Sequence, residues 1–129
     1  MIFKNPKLLK SYHGAGRCEL CGKFCPECEP HHVQARGMGG GSRLDLEICL
    51  LRVGSWPCCE CHIRIDSKEG KQRCLAVLAR RYNTTPDVIE GVFALLNRLP
   101  KGTSRAGILA AGAVIGGEVE RILRLSFGE

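Results

Sequence analysis

Residues 18–33 read CELCGKFCPECEPHHV, and this stretch decides how the front half of the chain folds. It contains two Cys-x-x-Cys pairs, Cys18/Cys21 and Cys25/Cys28, and then two adjacent histidines. Two thiolates three residues apart can reach one metal ion because the chain turns back between them. The stretch therefore predicts a metal-binding turn that is followed closely in sequence by a pair of imidazoles.

A matching cysteine pair lies further along the chain. Cys58 and Cys61 repeat the spacing of the first pair, and two such pairs predict one tetrahedral Zn²⁺ bound by four thiolates. Gly22, directly after the first pair, permits the tight backbone that this turn needs. Cys25 and Cys28 remain alternatives: they would replace the first pair, or they would hold a second metal.

The composition of the chain restricts its class. Nine of its 129 residues are cysteine and only 5% are aromatic, so metal or disulfide bonds must support a small apolar core. No signal sequence begins the chain and no apolar run of about 18 residues occurs in it, so we expect a cytoplasmic protein without a membrane partner. If the gene belongs to a phage, the location is the host cytoplasm. In that compartment cysteine pairs bind zinc more often than they form disulfides.

The positive charge is concentrated in the front of the chain. Lys and Arg number 19 against 13 Asp and Glu, a formal net charge of +6. Residues 1–81 hold 14 basic and 8 acidic side chains, whereas residues 82–129 hold 5 of each. This asymmetry predicts an anionic partner such as DNA for the front part. We expect residues 1–17 to be an extended basic arm that contacts phosphate.

Apolar periodicity predicts a helical extension over residues 71–129. A helix over 71–82 is followed by a strong start, with Thr85 as N-cap and Pro86 in the first turn, for a helix that ends before Pro100. The outward face of that second helix is small and nearly neutral, which favours packing over DNA reading. One last helix is predicted over 104–127, with the following residues facing inward: Ile108, Ile115, Val119 and Ile122.

The histidines mark where chemistry would take place. His31 and His32 lie on a predicted extended segment, where adjacent side chains point to opposite sides, so one can face a metal and the other a water. His62 and Asp66 are four residues apart and would share one face of a helix, where both can bind one cation.

The stretch from Cys18 to Asp66 resembles the HNH endonuclease family, which has the ββα-metal fold. The family pattern consists of a CxxC turn, a His-His pair, a Gly-rich loop, an Asp-x-x-x-Asn-Leu segment, and CxxCH opening a helix with a further ligand four residues on. Here DLEICL at residues 45–50 occupies the Asp-x-x-x-Asn-Leu segment. The basic start and the RGMGG loop look most like small phage-type HNH proteins. The resemblance implies an α+β protein with a zinc-stapled ββα-metal core over 18–70 and an appended helical segment.

The same resemblance implies metal-dependent hydrolysis of DNA phosphodiester bonds, as a nick or a double-strand cut. His32 would be the general base that activates water, and His31, His62 and Asp66 would hold Mg²⁺ or Mn²⁺. The residues expected to contact the DNA are Arg36, Arg43, Arg64 and Lys68.

Two departures from the family pattern bear on activity. Cys49 stands where the family has the Asn that helps to orient the base histidine, and a thiol is a poor hydrogen-bond partner. The segment from Leu50 to Pro57 is also longer than usual, so Asp45 or Glu47 is an alternative for the role of the Asn. The alternative function is a zinc-binding module for DNA or protein with weak or no catalysis. With either function, the apolar C-terminal helices are the expected surface for a homodimer or a phage protein partner.

Overall fold

The computed structural model describes residues 2–33, 43–54 and 65–129, and these residues form the mixed α+β structure that the sequence predicts. The strands are β1 (Ile2–Phe3), β2 (Gly14–Arg17), β3 (Phe24–His32), β4 (Arg43–Leu44) and β5 (Leu50–Gly54). The helices are α1 (Pro6–Lys10), α2 (Lys68–Arg81), α3 (Pro86–Arg98), α4 (Arg105–Ile115) and α5 (Gly117–Ser126). A 3₁₀ turn, Glu47–Cys49, leads directly into β5.

An antiparallel sheet in the order β2-β3-β5 carries the candidate site. The β3–β5 register runs from Cys28 opposite Gly54 to His32 opposite Leu50. The two histidines at the end of β3 therefore lie beside the first residues of β5, immediately after the 3₁₀ turn.

A bulge in β3 turns two cysteines to the same side. Gly14 pairs with Cys28 and Gly16 with Cys25, so two residues of β3 oppose one residue of β2. Because a bulge interrupts the two-residue alternation of a strand, Cys25 and Cys28 are both buried while the residues between them are exposed. Pro26, which has no N–H to donate to a ladder, lies within this irregularity.

Residues 2–17 do not form the extended arm that the sequence predicts for residues 1–17. Asn5 caps α1, its side-chain oxygen accepting from the Leu8 N–H at 3.1 Å, and Pro6 takes the first helical position. Before the helix, β1 pairs in parallel with β4, with Ile2 opposite Arg43 and Phe3 opposite Leu44. The strand pairing and a hydrogen bond from the Asn5 N–H to the Asp45 side chain hold this segment along residues 43–45.

The first two predicted C-terminal helices are confirmed. α2 begins slightly earlier than expected, at Lys68, because the Ser67 hydroxyl accepts from the Gly70 N–H. The Thr85 side chain caps α3 as predicted, accepting from the Val88 N–H. The outward residues of α3 are exposed, and they are Asp87, Glu90, Gly91, Ala94, Asn97 and Arg98.

The single helix expected over 104–127 is wrong, because two helices, α4 and α5, meet at Gly116. Two adjacent glycines at 116–117 weaken helix continuity by about 1 kcal/mol each, and the break lets α5 fold back on α4. Ile115, predicted to face inward, is 48% exposed at this break. The helices approach so closely that a Cβ on Gly112 would lie 2.6 Å from Leu123 Cδ1.

One apolar cluster joins the sheet to the helices. It includes Leu44, Leu46, Ile48 and Leu51 from the front half and Leu78, Leu96, Ile122 and Leu123 from the helices. Burying each such side chain stabilises the fold by about 1.5–3 kcal/mol. The helical extension therefore shares its core with the segment that carries the candidate site. None of the helices in the described ranges has the length and apolar character that a membrane span requires.

Arg81, at the end of α2, connects this helix to three parts of the front half. Its Nη2 donates to Glu19 Oε1 and Oε2 at 3.0 and 2.8 Å and to the Leu50 carbonyl at 2.9 Å. Its Nη1 donates to the Glu47 carbonyl at 2.7 Å. Glu19 also accepts the Arg52 N–H at 2.7 Å. The planar guanidinium thus bonds to the turn after β2, the 3₁₀ turn and β5 at once.

Arg81→Lys should lower the free energy of unfolding by about 2 kcal/mol, because a lysine ammonium cannot reproduce this forked geometry. Arg80→Lys is the matched control, since Arg80 is exposed on the same helix, and its effect should stay within about 0.5 kcal/mol. Urea unfolding followed by circular dichroism measures both. Equal stability of the two variants would contradict the structural role of Arg81.

Candidate functional site

The described ranges contain only part of the predicted site. The predicted residues outside them are Arg36, Cys58, Cys61, His62 and Arg64. Arg43 begins β4, and Lys68 is exposed at the first position of α2. The site is therefore built from β3, the segment 45–49 and the turns around them.

A histidine and a buried carboxylate form the centre of this site. His32, the last residue of β3, has its Nε2 at 2.8 Å from Asp45 Oδ1. The Asp45 side chain is 0% exposed, whereas the His32 side chain is 30% exposed. A partly exposed imidazole that is held by a buried carboxylate can accept a proton from a molecule on its solvent side. Asp45 is one of the two alternatives, with Glu47, that the sequence leaves open for this contact, and the structure places Asp45 there.

The amino-terminal segment reaches the same carboxylate. The backbone N–H of Asn5 donates to Asp45 Oδ2 at 2.8 Å. A buried charge is costly unless it is paired and hydrogen-bonded, and this amide meets part of that need. Sequence reasoning missed Asn5, because nothing in the local pattern of residues 1–17 indicates a partner forty positions away.

Cys49 lies close to this pair but presents its backbone to β3. Its carbonyl accepts the Val33 N–H at 2.6 Å, which ties the 3₁₀ turn to the residue after His32. Burial, and then the nearby Asp45 charge, raise the pKa of the fully buried Cys49 thiol. The thiol is therefore protonated at neutral pH and is neither a base nor a nucleophile in that state. A catalytic role for the Cys49 side chain stays a prediction.

Two of the three predicted ligands of the divalent ion, His31 and Asp66, lie in the described ranges, and they belong to different parts of the fold. His31 lies opposite Leu51 in the β3–β5 ladder, next to His32 in an extended strand, as predicted. Asp66 is exposed in the turn that precedes α2, whose first residue is Lys68. The sequence predicts that Asp66 shares a helix with His62. Asp66 does not lie on a helix, because the N-cap of α2 is Ser67, the next residue. His62 lies outside the described residues.

The first cysteine pair occupies the tight turn that the sequence predicts. The Cys18 N–H donates to the Lys23 carbonyl at 3.0 Å, and the Gly22 N–H donates back to the Cys18 carbonyl at 2.8 Å. Gly22 has φ +74°, a conformation that glycine adopts without a Cβ penalty. Cys18 thus begins a closed turn between β2 and β3, and Cys21 lies within that turn.

Further thiols are buried behind this turn. Cys28 Sγ donates to the Gly16 carbonyl at 3.6 Å, and burial and the neighbouring Cys25 raise the pKa of the Cys28 thiol. Burial also raises the pKa of Cys74, on α2, to about 11, with contributions from nearby Asp66 and Cys18. Local sequence patterns do not indicate that Cys74 lies near Cys18, because this proximity is a product of the tertiary fold.

Across residues 2–33, 43–54 and 65–129, no three or more His, Cys, Asp or Glu side chains form a group that could hold a metal ion. The predicted zinc set needs Cys58 and Cys61, and the predicted divalent set needs His62. All three residues lie outside the described ranges, so both metal sites stay predictions.

No protein-family model matches this chain, and neither the curated proteins nor the solved structures include a significant match to it. The case for a function therefore rests on the geometry of its own residues, with the Asp45–His32 pair at the centre.

Cys49→Ala should leave the Val33 N–H contact intact, because the acceptor belongs to the backbone. It should lower the free energy of unfolding by about 1 kcal/mol through the lost volume.

In the native wild-type protein, iodoacetamide at pH 8 should leave Cys49 unmodified, whereas the urea-unfolded chain should react there. Peptide mass mapping reads the result, and rapid native alkylation of Cys49 would contradict its burial.

Proposed function

We propose that this protein is a metal-dependent endonuclease of the HNH type that hydrolyses DNA phosphodiester bonds. The observation that carries the proposal is the 2.8 Å contact between half-buried His32 and fully buried Asp45. A second support is the antiparallel pair β3–β5, followed along the chain by α2, which agrees with the ββα order of that family.

His32 acts as the general base in this proposal. Its ring takes a proton from the attacking water, and the Asp45 carboxylate stabilises the imidazolium that results. Because Asp45 is buried, its charge is screened little by solvent, and the electrostatic support that it gives to the ring is correspondingly strong. Asp45 rather than the Cys49 thiol thereby takes the orienting role of the family Asn.

Mg²⁺ or Mn²⁺ is the proposed cofactor, and His31, His62 and Asp66 are its proposed ligands. One imidazole and one carboxylate of this set lie in the described ranges, and the donor types suit a hard divalent cation. When bound, such an ion stabilises the charge on the phosphate and on the leaving oxygen.

DNA is the proposed partner of the Asp45–His32 pair, the dyad of the site, and the positive charge of the amino-terminal segment supports this choice. Lys4, Lys7 and Lys10 are exposed on the segment whose Asn5 amide contacts Asp45. They give this segment positive charge, and contacts from it to phosphate would hold a strand without reading its sequence. Lys68 is exposed at the start of α2, as a DNA-contacting residue must be.

His32→Ala should slow the nicking of supercoiled plasmid in Mg²⁺ or Mn²⁺ by about 10²–10⁴-fold, because the general base is lost. His13→Ala is the matched control, since His13 is exposed and lies outside the dyad, and it should nick at the wild-type rate. Agarose gels with EDTA lanes measure the rates. Wild-type nicking by the His32→Ala protein would overturn the proposed role.

The absence of any metal-dependent cleavage by the folded wild-type protein would favour the alternative, a zinc-binding module that binds DNA without turnover. Such a module should bind DNA with an affinity that falls with salt, with a log–log slope of about −0.9 per phosphate contacted. Fluorescence anisotropy at several salt concentrations measures that slope.

Structural zinc is the second proposed cofactor, with Cys18, Cys21, Cys58 and Cys61 as ligands. The closed turn around Gly22 supports the first pair, whereas Cys28 donates to a backbone carbonyl as a protonated thiol does. Cys25 and Cys28 are therefore the alternative ligands, and variants can separate the two pairs.

Cys21→Ser should release the zinc that the purified wild-type protein contains, because one of four thiolates is lost. Cys28→Ser should keep one zinc per chain. Elemental analysis of the dialysed proteins gives both contents. Loss of zinc from the Cys28→Ser protein together with retention in Cys21→Ser would show that the ligand pair is Cys25/Cys28.

A further inference from the structure

The two oxygens of the Asp45 carboxylate meet different kinds of partner. Oδ1 faces His32 Nε2 at 2.8 Å, and Oδ2 accepts the backbone N–H of Asn5 at 2.8 Å. A backbone amide can only donate a hydrogen bond, so whichever atom stands opposite it must be an acceptor. The imidazole nitrogen has no such restriction, because either of its two neutral tautomers is chemically available.

We infer that Asp45 is the positioning residue that holds neutral His32 as its Nε2–H tautomer, with the Asn5 amide fixing which way the side chain at position 45 is oriented. An ionised carboxylate is an acceptor at both oxygens, so Nε2 must carry the proton that it shares with Oδ1. The lone pair of the neutral ring then lies on Nδ1. This nitrogen is the base that the proposed function requires, and the inference rests on that function for its catalytic meaning.

The pairing of β1 with β4 places the Asn5 amide at this position. Ile2 and Phe3 run beside Arg43 and Leu44, and the next residues of each segment bring Asn5 to Asp45. Asn5 also caps α1, so its backbone is held from both sides. Residues 2–10 are thus part of the site and do more than supply positive charge.

This geometry makes Asp45→Asn an informative substitution. The new amide has one oxygen and one NH₂ group, and the Asn5 N–H requires the oxygen on its side. The NH₂ group must then face His32 Nε2 as a donor, so Nε2 has to become the acceptor. The ring proton moves to Nδ1, and the nitrogen that should accept a proton from water already carries one. A similar change of tautomer lowers the kcat of a serine protease by about 10⁴-fold.

The tautomer can be read without any substrate. We would record two-dimensional ¹H–¹⁵N spectra of the histidine rings in the full-length protein, at a pH where the His32 shifts no longer change. The His32 signals are assigned by their loss in His32→Ala. The wild-type protein should show the Nε2–H pattern and Asp45→Asn the Nδ1–H pattern. Glu27→Gln, which makes the same carboxylate-to-amide change at an exposed position of β3, is the matched control and should show the wild-type pattern.

The rate of plasmid nicking gives a second test, because a residue with a purely structural role would not lower kcat while leaving KM unchanged. Asp45→Asn should lower the kcat of plasmid nicking by about 10³–10⁴-fold with KM unchanged. The double variant His32→Ala/Asp45→Asn should be no slower than His32→Ala alone, because the two residues act as one unit. Circular dichroism and zinc content show whether each variant is folded.

The outcomes separate this inference from the proposed function. An Nδ1–H ring in the wild-type protein, or an Nε2–H ring in Asp45→Asn, would overturn the inference even if the protein nicks DNA. The predicted tautomers in a protein that cleaves nothing would support the positioning role and overturn the nuclease proposal.

Discussion

The guanidinium of Arg81 is the contact on which the arrangement of the front half depends. It bonds to Glu19 in the turn after β2, to the Glu47 carbonyl and to the Leu50 carbonyl. Glu19 is far in sequence from Glu47 and Leu50, so one side chain at the end of α2 fixes the cysteine turn against the 3₁₀ turn and the start of β5. Asp45 lies two residues before that 3₁₀ turn, and its place beside His32 therefore depends on the same contact.

The buried Asp45 carboxylate has an energetic cost that the fold must offset. Partners on both oxygens, the His32 ring and the Asn5 amide, supply hydrogen bonds in place of water. Such a group is a poor source of stability but a strong determinant of geometry, because few arrangements satisfy both of its oxygens at once. This explains how a chain with a small aromatic core can hold an imidazole in one orientation.

Much of the local structure could be predicted from the sequence. The Thr85-Pro86 start of α3, the Gly22 turn and the extended His-His pair are confirmed because each depends on neighbouring residues: a cap, a positive φ, and strand alternation. The errors came from longer-range packing. The predicted helix over 104–127 breaks at Gly116 so that α5 can pack on α4 around Gly112, and residues 2–10 bind along residues 43–45 instead of extending.

The sequence by itself determined the residue types of the candidate site, the spacing of its cysteine pairs and the local starts of its helices, because capping, turn formation and strand alternation act over a few residues. Only the tertiary structure decided that Asp45, and not the Cys49 thiol, contacts His32, and that the Asn5 amide lies opposite the second oxygen. These contacts join positions up to forty residues apart. They arise from strand pairing and burial of the whole chain, which no local pattern encodes.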